Sequence, residues 1–374
     1  MGGNALNKVI SSRINLDKYI KVKKDLEEKI GKYLEFEFTI DVPGKVDFGD
    51  IDILYKLKNS FDNNFDNNIC NKKNFNIEEL LQQIYNPVEI VLNGPVCSFA
   101  YHLENSSSYE YFQVDLILVE DLQMSRFYFS YGDLGGIIGR LTQHKCLTYG
   151  SKGLWVSPNQ ETITKFLSEY KINLLVGYES TIQIMQITNA ILPKIMLTNE
   201  PDKICEYLGL DFKIWLNGFE SKKQIFEWIK KSPWFELDSF RALDYEHRHR
   251  ANARPMYMEF LNYIFIDEKN FDIEKGNSTK YINKNLQLET IEYFDKIGML
   301  IKHIKQIEMN LIRKEKFSGK KFLNLGIEPK QIKMYLDNFN KYIYNKFQME
   351  FNDWLDANSS ELIDTTIDIF LKKN

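Results

Sequence analysis

Six consecutive residues, Gly49-Asp50-Ile51-Asp52-Ile53-Leu54, constrain this 374-residue chain more than any other segment. They set two acids two positions apart inside an apolar run. Residues i and i+2 of a β-strand project to the same face. Asp50 and Asp52 are therefore expected side by side, with Ile51 and Ile53 turned to a core. Adjacent carboxylates repel and are costly to bury, so something must neutralise them. A hard divalent cation with oxygen ligands does this, typically Mg²⁺ with Mn²⁺ as a substitute. The bland alternative is a strand end on a solvated face. Asp is disfavoured inside strands, and a third acid, Asp115, recurs in the later apolar run EYFQVDLILV (110–119), which weights the balance toward the metal.

Two-metal phosphoryl or nucleotidyl transfer needs three carboxylates on neighbouring strands. Asp50 and Asp52 are candidates to bind both ions, and Asp115 to bind the ion that activates the attacking hydroxyl. The rest of the composition sets limits. A net charge of -4 excludes a uniformly basic nucleic-acid binder but leaves room for a local basic groove. Four cysteines (Cys70, Cys97, Cys146, Cys205) with no CxxC pair argue against a zinc knuckle or a disulfide framework and suit a reducing compartment. No run approaches the roughly 18 apolar residues that a membrane span requires. The expectation is a soluble protein of the cytoplasm, or of a host cytoplasm if the source is viral, with no membrane partner.

The pattern changes along the chain. Residues 16–33 have helical spacing, 35–42 alternate like a strand, Pro43-Gly44-Lys45 makes a turn, and the Asp50/Asp52 strand follows. An Asn-rich loop is expected over 59–75, a short helix over 76–85, and strands over 89–93, 96–102, 110–119 and 126–131. Residues 134–144 read as a helix loosened by three glycines, and Tyr149–Val156 as a turn between short extended pieces. From about residue 201 the chain reads as helices: 201–208, 221–231, 254–266, 286–315, and 329–370 in pieces. This predicts an α+β fold, with a mixed-sheet catalytic domain over 1–200 and a helical domain over 201–374 that leaves a cleft between them.

The GDIDIL strand, the QVDLIL strand (Gln113–Leu118) and the order helix, strand, turn, Asp-x-Asp strand, third-Asp strand resemble the nucleotidyltransferase superfamily of the DNA polymerase β type. The resemblance covers about 120 residues. Gly2–Leu6 and Leu147–Trp155 are similar to a subgroup found in large DNA viruses and phages. The resemblance implies transfer of a nucleoside monophosphate from a nucleoside triphosphate to an acceptor hydroxyl, with Asp50, Asp52 and Asp115 catalytic and metal-binding. It also implies nucleotide contacts near Gly44, Lys45, Gly49 and Lys152. One departure matters: the usual Gly-Ser pair before the Asp pair is missing. Either Gly44 and Lys45 replace that phosphate cradle, or Gly2 and Gly3 fold back to provide it. The same departure permits a member that keeps the fold without the chemistry.

Further residues carry two readings each. Lys45 is a phosphate contact or a solvated turn lysine, and Lys152 a nucleotide contact or a plain hairpin lysine. Gly135, Gly136 and Gly139 lack GxGxxG spacing, so close helix packing is favoured over a phosphate loop. The run from Glu246 to Pro255 is the strongest basic feature. Arg248, Arg250 and Arg254 there are candidates to hold acceptor phosphates, with a solvated helix start as the alternative. An RNA 3′ end is the expected acceptor. A protein hydroxyl, and an inactive nucleic-acid-binding module, are the competing readings.

Overall fold

The computed structural model describes residues 4–57, 75–103, 110–143, 145–172, 174, 193–241, 254–266 and 286–372. The fold is α+β; among the described residues every strand lies before residue 199, and the elements after it are helices. Contacts divide the chain into two compact units. The first joins residues 1–157 to 196–287, and the second joins 158–195 to 288–374. The change of pattern near residue 200 coincides with the last strand, whereas the units interleave across it.

A five-stranded mixed sheet organises the first unit. Its strands are β2 (Leu34–Phe38), β4 (Asp50–Leu57), β5 (Ile90–Asn93), β6 (Val96–His102) and β7 (Tyr111–Leu118), in the order β2-β4-β7-β6-β5. Only β4 and β7 run parallel; the other pairs are antiparallel. Two short strands, β1 (Ile14–Asn15) and β3 (Asp47–Phe48), pair separately. One face of the large sheet is apolar, with Ile51, Ile53 and Tyr55 of β4 and Phe112, Val114 and Leu116 of β7 buried in a single core. Helix α1 (Leu16–Ile30) closes this core because Tyr19, Val22, Leu26 and Ile30 recur at helical spacing on one side. Asn15 starts that helix by accepting from the Lys18 N–H. Helix α2 (Ile77–Tyr85) adds Leu80 and Leu81.

The opposite face changes along the parallel pair. Register sets Asp50 beside Gln113, Asp52 beside Asp115, and Leu54 beside Ile117. It is polar at the start of the strands and apolar toward their ends, where Leu54 is fully buried and α3 (Leu122–Phe129) meets β4. The segment 126–131, expected as a strand, is helical through Phe129. The Asp121 side chain accepts from the Met124 N–H and nucleates a turn. Met124 and Phe127, three apart, then bury one side of that turn. Aromatic residues there satisfied a strand pattern, but the cap decided the local structure.

Helix α4 (Leu134–Gln143) follows, then a hairpin of β8 (Leu147–Gly150) and β9 (Gly153–Val156), to which β10 (Ile195–Thr198) adds a third strand. A Cβ on Gly135 would stand 2.2 Å from the Tyr128 carbonyl oxygen, so the glycine serves close packing. Among the described residues this unit also holds five helices: α6 (Pro201–Tyr207), α7 (Phe212–Asn217), α8 (Lys222–Lys230), α9 (Leu237–Arg241) and α10 (Pro255–Ile264). Ile225, Trp228 and Ile229 of α8 are buried, as core packing requires.

The second unit holds α5 (Gln160–Tyr170) and the C-terminal helices. The helix expected over 286–315 is two, α11 (Leu286–Tyr293) and α12 (Ile297–Lys316), broken at Asp295 with φ 52°. Helices α13 (Gly319–Asn324), α14 (Ile332–Phe347), α15 (Phe351–Ala357) and α16 (Ser360–Leu371) enclose their own core of Phe322, Phe339, Trp354, Ile363 and Phe370. No described helix is long and apolar enough to cross a membrane.

Gly153 enters β9 with φ 121°, and a Cβ there would lie 2.4 Å from the Thr198 carbonyl oxygen. Gly153→Ala is expected to cost about 2 kcal/mol or more through strain and backbone displacement. Chemical denaturation checks this, and an unchanged midpoint would contradict the packing described.

Candidate functional site

Alternation along β4 and β7 brings Asp50, Asp52 and Asp115 to one face of the sheet. Ser98 of β6 stands opposite Asp115 on its other side. Asp50, Asp52 and Asp115 are each half-buried. Burial pushes the Asp52 carboxyl up to about 7, and the charges of Asp50, Asp115 and Asp41 push the same way against Lys45. Burial also raises Asp115, opposed by donors from Ser98 and Gln113. The cations nearby are engaged with other acids. Lys45 Nζ is 3.0 Å from Asp41 Oδ1, and Arg13 Nε is 2.5 Å from Asp47 Oδ2. The three carboxylates thus form an acidic face, with Arg13 acting on Asp50 and Lys45 on Asp52 from its edge.

Three hard oxygen donors in that state suit a divalent cation. Among the described residues, however, no group of three or more His, Cys, Asp or Glu is gathered closely enough to hold an ion as it stands. Gln113, two residues before Asp115 on the same strand, directs its side chain to that acid. Its Nε2 donates to Asp115 Oδ1 at 3.0 Å and Oδ2 at 2.9 Å, and so holds both oxygens. The donor set fits the ion in chemistry and in strand register, and the Asp115 carboxylate would have to exchange a protein contact for it.

A second layer borders the acidic face. The ring of Tyr19 stacks on Phe48, the residue before Gly49, at 3.8 Å between centroids. Tyr19 Oη donates to Asp41 Oδ2 at 2.6 Å, and Lys23 Nζ lies 3.5 Å from the same oxygen. Lys23 and Lys45 therefore converge on one carboxylate next to Asp52. Burial draws the Lys23 ammonium below its ordinary range, with Asp41 opposing. Burial and then Asp41 raise the Tyr19 phenol far above its ordinary value. Neither Lys23 nor Tyr19 stands out in a sequence of helical spacing with interleaved lysines and glutamates. Their spacing of four was visible, but the partner, Asp41, is distant in sequence. Gln113 was seen to share a face with Asp115, and its role as a donor to it was not legible.

The other expected site residues fall as follows. Gly44 occupies the turn Val42-Pro43-Gly44-Lys45 with φ 75°. The Lys45 N–H donates to the Val42 carbonyl there, as a turn with Pro then Gly at its centre requires. Gly49 is buried between β3 and β4. Lys152, in the β8–β9 turn, pairs with Glu120 and not with the carboxylates. Glu120 lies five residues past Asp115, about 16 Å along an extended chain. Arg254 precedes α10 and lies against Gly136, where an added Cβ would meet its guanidinium at 2.6 Å. Arg248, Arg250, Gly2 and Gly3 lie outside the described residues.

No protein-family model matches the chain. No curated protein matches it either. Among solved structures the chain is similar to the polymerase beta of Leishmania infantum in a ternary gap complex, at 12% identity and a TM-score of 0.32. The similarity covers 54% of this chain and 68% of that one. A likeness of this size concerns fold elements alone, and it assigns neither substrate nor acceptor.

Asp52 binds its proton more tightly in the folded chain, at about 7, than in the unfolded chain near the ordinary 3.8. The contribution of this group to stability is therefore present below about pH 4 and is lost as pH rises through about 7. Asp52→Asn is expected to remove that slope and to raise the stability of the ion-free chain at pH 8 by more than about 1 kcal/mol. Denaturation at pH 5 and pH 8 measures it; identical slopes for both chains would contradict the assignment.

Proposed function

We propose that this chain is a divalent-metal-dependent nucleotidyltransferase, with a nucleoside triphosphate as donor and an RNA 3′ hydroxyl as acceptor. The observation that carries the reading is the in-register parallel pairing that sets Asp52 beside Asp115, with Asp50 two residues away on the same face. Asp50, Asp52 and Asp115 would hold Mg²⁺ or Mn²⁺. Such an ion, when bound, would supply Lewis-acid chemistry, lowering the pKa of an attacking hydroxyl and offsetting charge on a leaving pyrophosphate. Lys45 and Lys23, gathered on Asp41 beside Asp52, would exchange that carboxylate for the phosphates of the donor. They provide charge where the superfamily's usual Gly-Ser pair is missing. The acceptor hydroxyl gives its proton to solvent, its oxygen attacks the α-phosphorus, the bond to the bridging oxygen breaks, and pyrophosphate leaves with that electron pair. The basic run that includes Arg248, Arg250 and Arg254 supports a polyanionic acceptor.

The test is incubation with α-labelled nucleoside triphosphates, Mg²⁺ and a pool of RNAs. Extended, labelled RNA is expected, with Asp115→Asn lowering the rate at least about 1,000-fold while the circular dichroism spectrum is unchanged. Label on protein alone would transfer the assignment to a protein hydroxyl. No labelled product with either acceptor, together with no Mg²⁺-dependent nucleotide binding, would leave the fold without the chemistry.

A further inference from the structure

The buried amide of Gln113 links two parts of the chain that are far apart in sequence. Gln113 is 3% exposed. Its Oε1 accepts from the backbone N–H of Ala5 at 2.8 Å. Its Nε2 donates to both oxygens of Asp115. The orientation of this amide is set by its neighbours: a backbone N–H can only donate, and an ionised carboxylate can only accept. Ala5 itself belongs to a segment tied down along its length. Glu89, 5% exposed, accepts from the N–H groups of Asn7, Lys8 and Val9. Ser11 Oγ accepts from the Gln113 N–H at 3.1 Å, and the Ser12 N–H donates to the Tyr111 carbonyl at 2.8 Å. Residues 5–12 therefore run from Glu89 to the start of β7 as a strap, and the Gln113 side chain joins this strap to the acidic face.

We propose that Gln113 is a positioning residue for Asp115: it stands in for the cation by holding both oxygens of the third carboxylate, and the docked strap, through the Ala5 N–H, holds Gln113 in that pose. This rests on the metal-binding reading of the three carboxylates given above. Two carboxylates in adjacent register repel when nothing positive lies between them. The amide hydrogens, with a further donor from Ser98, satisfy Asp115 without an ion. Binding an ion with all three acids then requires the Gln113–Asp115 contact to give way. The strap sets how much that costs, because an amide anchored at its oxygen cannot swing freely at its nitrogen.

The inference predicts a gain, which mere damage to the fold would not produce. Gln113→Leu keeps the bulk and removes both amide ends. Ala5→Pro removes the N–H that anchors the amide, since proline has none, and leaves the Gln113 side chain in place. Mn²⁺ binding to the full chain, measured by calorimetry at pH 7.5 with no nucleotide, is expected to tighten about tenfold in Gln113→Leu and less in Ala5→Pro. The double variant should bind like Gln113→Leu alone, because the Ala5 contact acts only through Gln113. The tightening should vanish when Asp115→Asn is added to Gln113→Leu. Unchanged or weaker Mn²⁺ binding in Gln113→Leu, with the unsubstituted chain binding Mn²⁺, would overturn the positioning role and leave the metal site standing. An Ala5→Pro effect that persists in the Gln113→Leu background would overturn the coupling to the strap. Failure of both the unsubstituted chain and Gln113→Leu to bind Mn²⁺ would overturn the metal reading and this inference together.

Discussion

Parallel pairing of β4 with β7, in one particular register, is the constraint on which the site depends. It places Asp52 beside Asp115, and a slip of one residue would put Val114 on the polar face and Asp115 in the core. The core enforces the register, because Ile51, Ile53, Val114 and Leu116 must all be buried together. Parallel neighbours need a long crossover. Here the crossover contains α2, β5 and β6, and β6 returns antiparallel on the far side of β7 to set Ser98 opposite Asp115. The hydrophobic demand on one face of the sheet thus fixes the positions of the carboxylates on the other.

That arrangement concentrates like charge. The fold answers it in part through groups recruited from elsewhere in sequence: Gln113 and Ser98 donate to Asp115, and Lys45 opposes the rise at Asp52. The lysines bordering the face are themselves held by Asp41, and Tyr19 joins them on the same carboxylate. Such a layer is polarised: negative charge over the strands, positive charge at the edge where α1 meets the turn before β3. An anionic ligand bridged to the carboxylates by a divalent cation would complement both halves at once.

Much of this was legible in the chain itself. Period-two alternation in GDIDIL and QVDLIL was enough to place each acid on its face, and the apolar context of Asp115 singled it out. Strand β4, helices α1, α2 and α4 and the β8–β9 hairpin lie where the patterns predict them. The failures have physical causes. Segment 126–131 is rich in aromatics, and the Asp121 cap that makes it helical lies just before the pattern begins. The interleaving of the compact units reflects long-range pairing, with β10 joining β9 across some forty residues, which no local pattern encodes. Lys23 and Gln113 are ordinary residues in ordinary elements, and only the fold shows that their partners are Asp41 and Asp115. Gly44 stands in a Pro-Gly turn, which accounts for its φ of 75°.

Crystals of the chain grown with Mn²⁺ and a non-hydrolysable nucleoside triphosphate test the central claim most directly, read by anomalous scattering at the manganese edge. The account predicts a manganese peak within about 2.3 Å of carboxylate oxygens from Asp50, Asp52 and Asp115, with the Gln113 amide withdrawn from at least one oxygen of Asp115. Manganese bound away from this face, or a face that stays metal-free with the nucleotide in place, would contradict it.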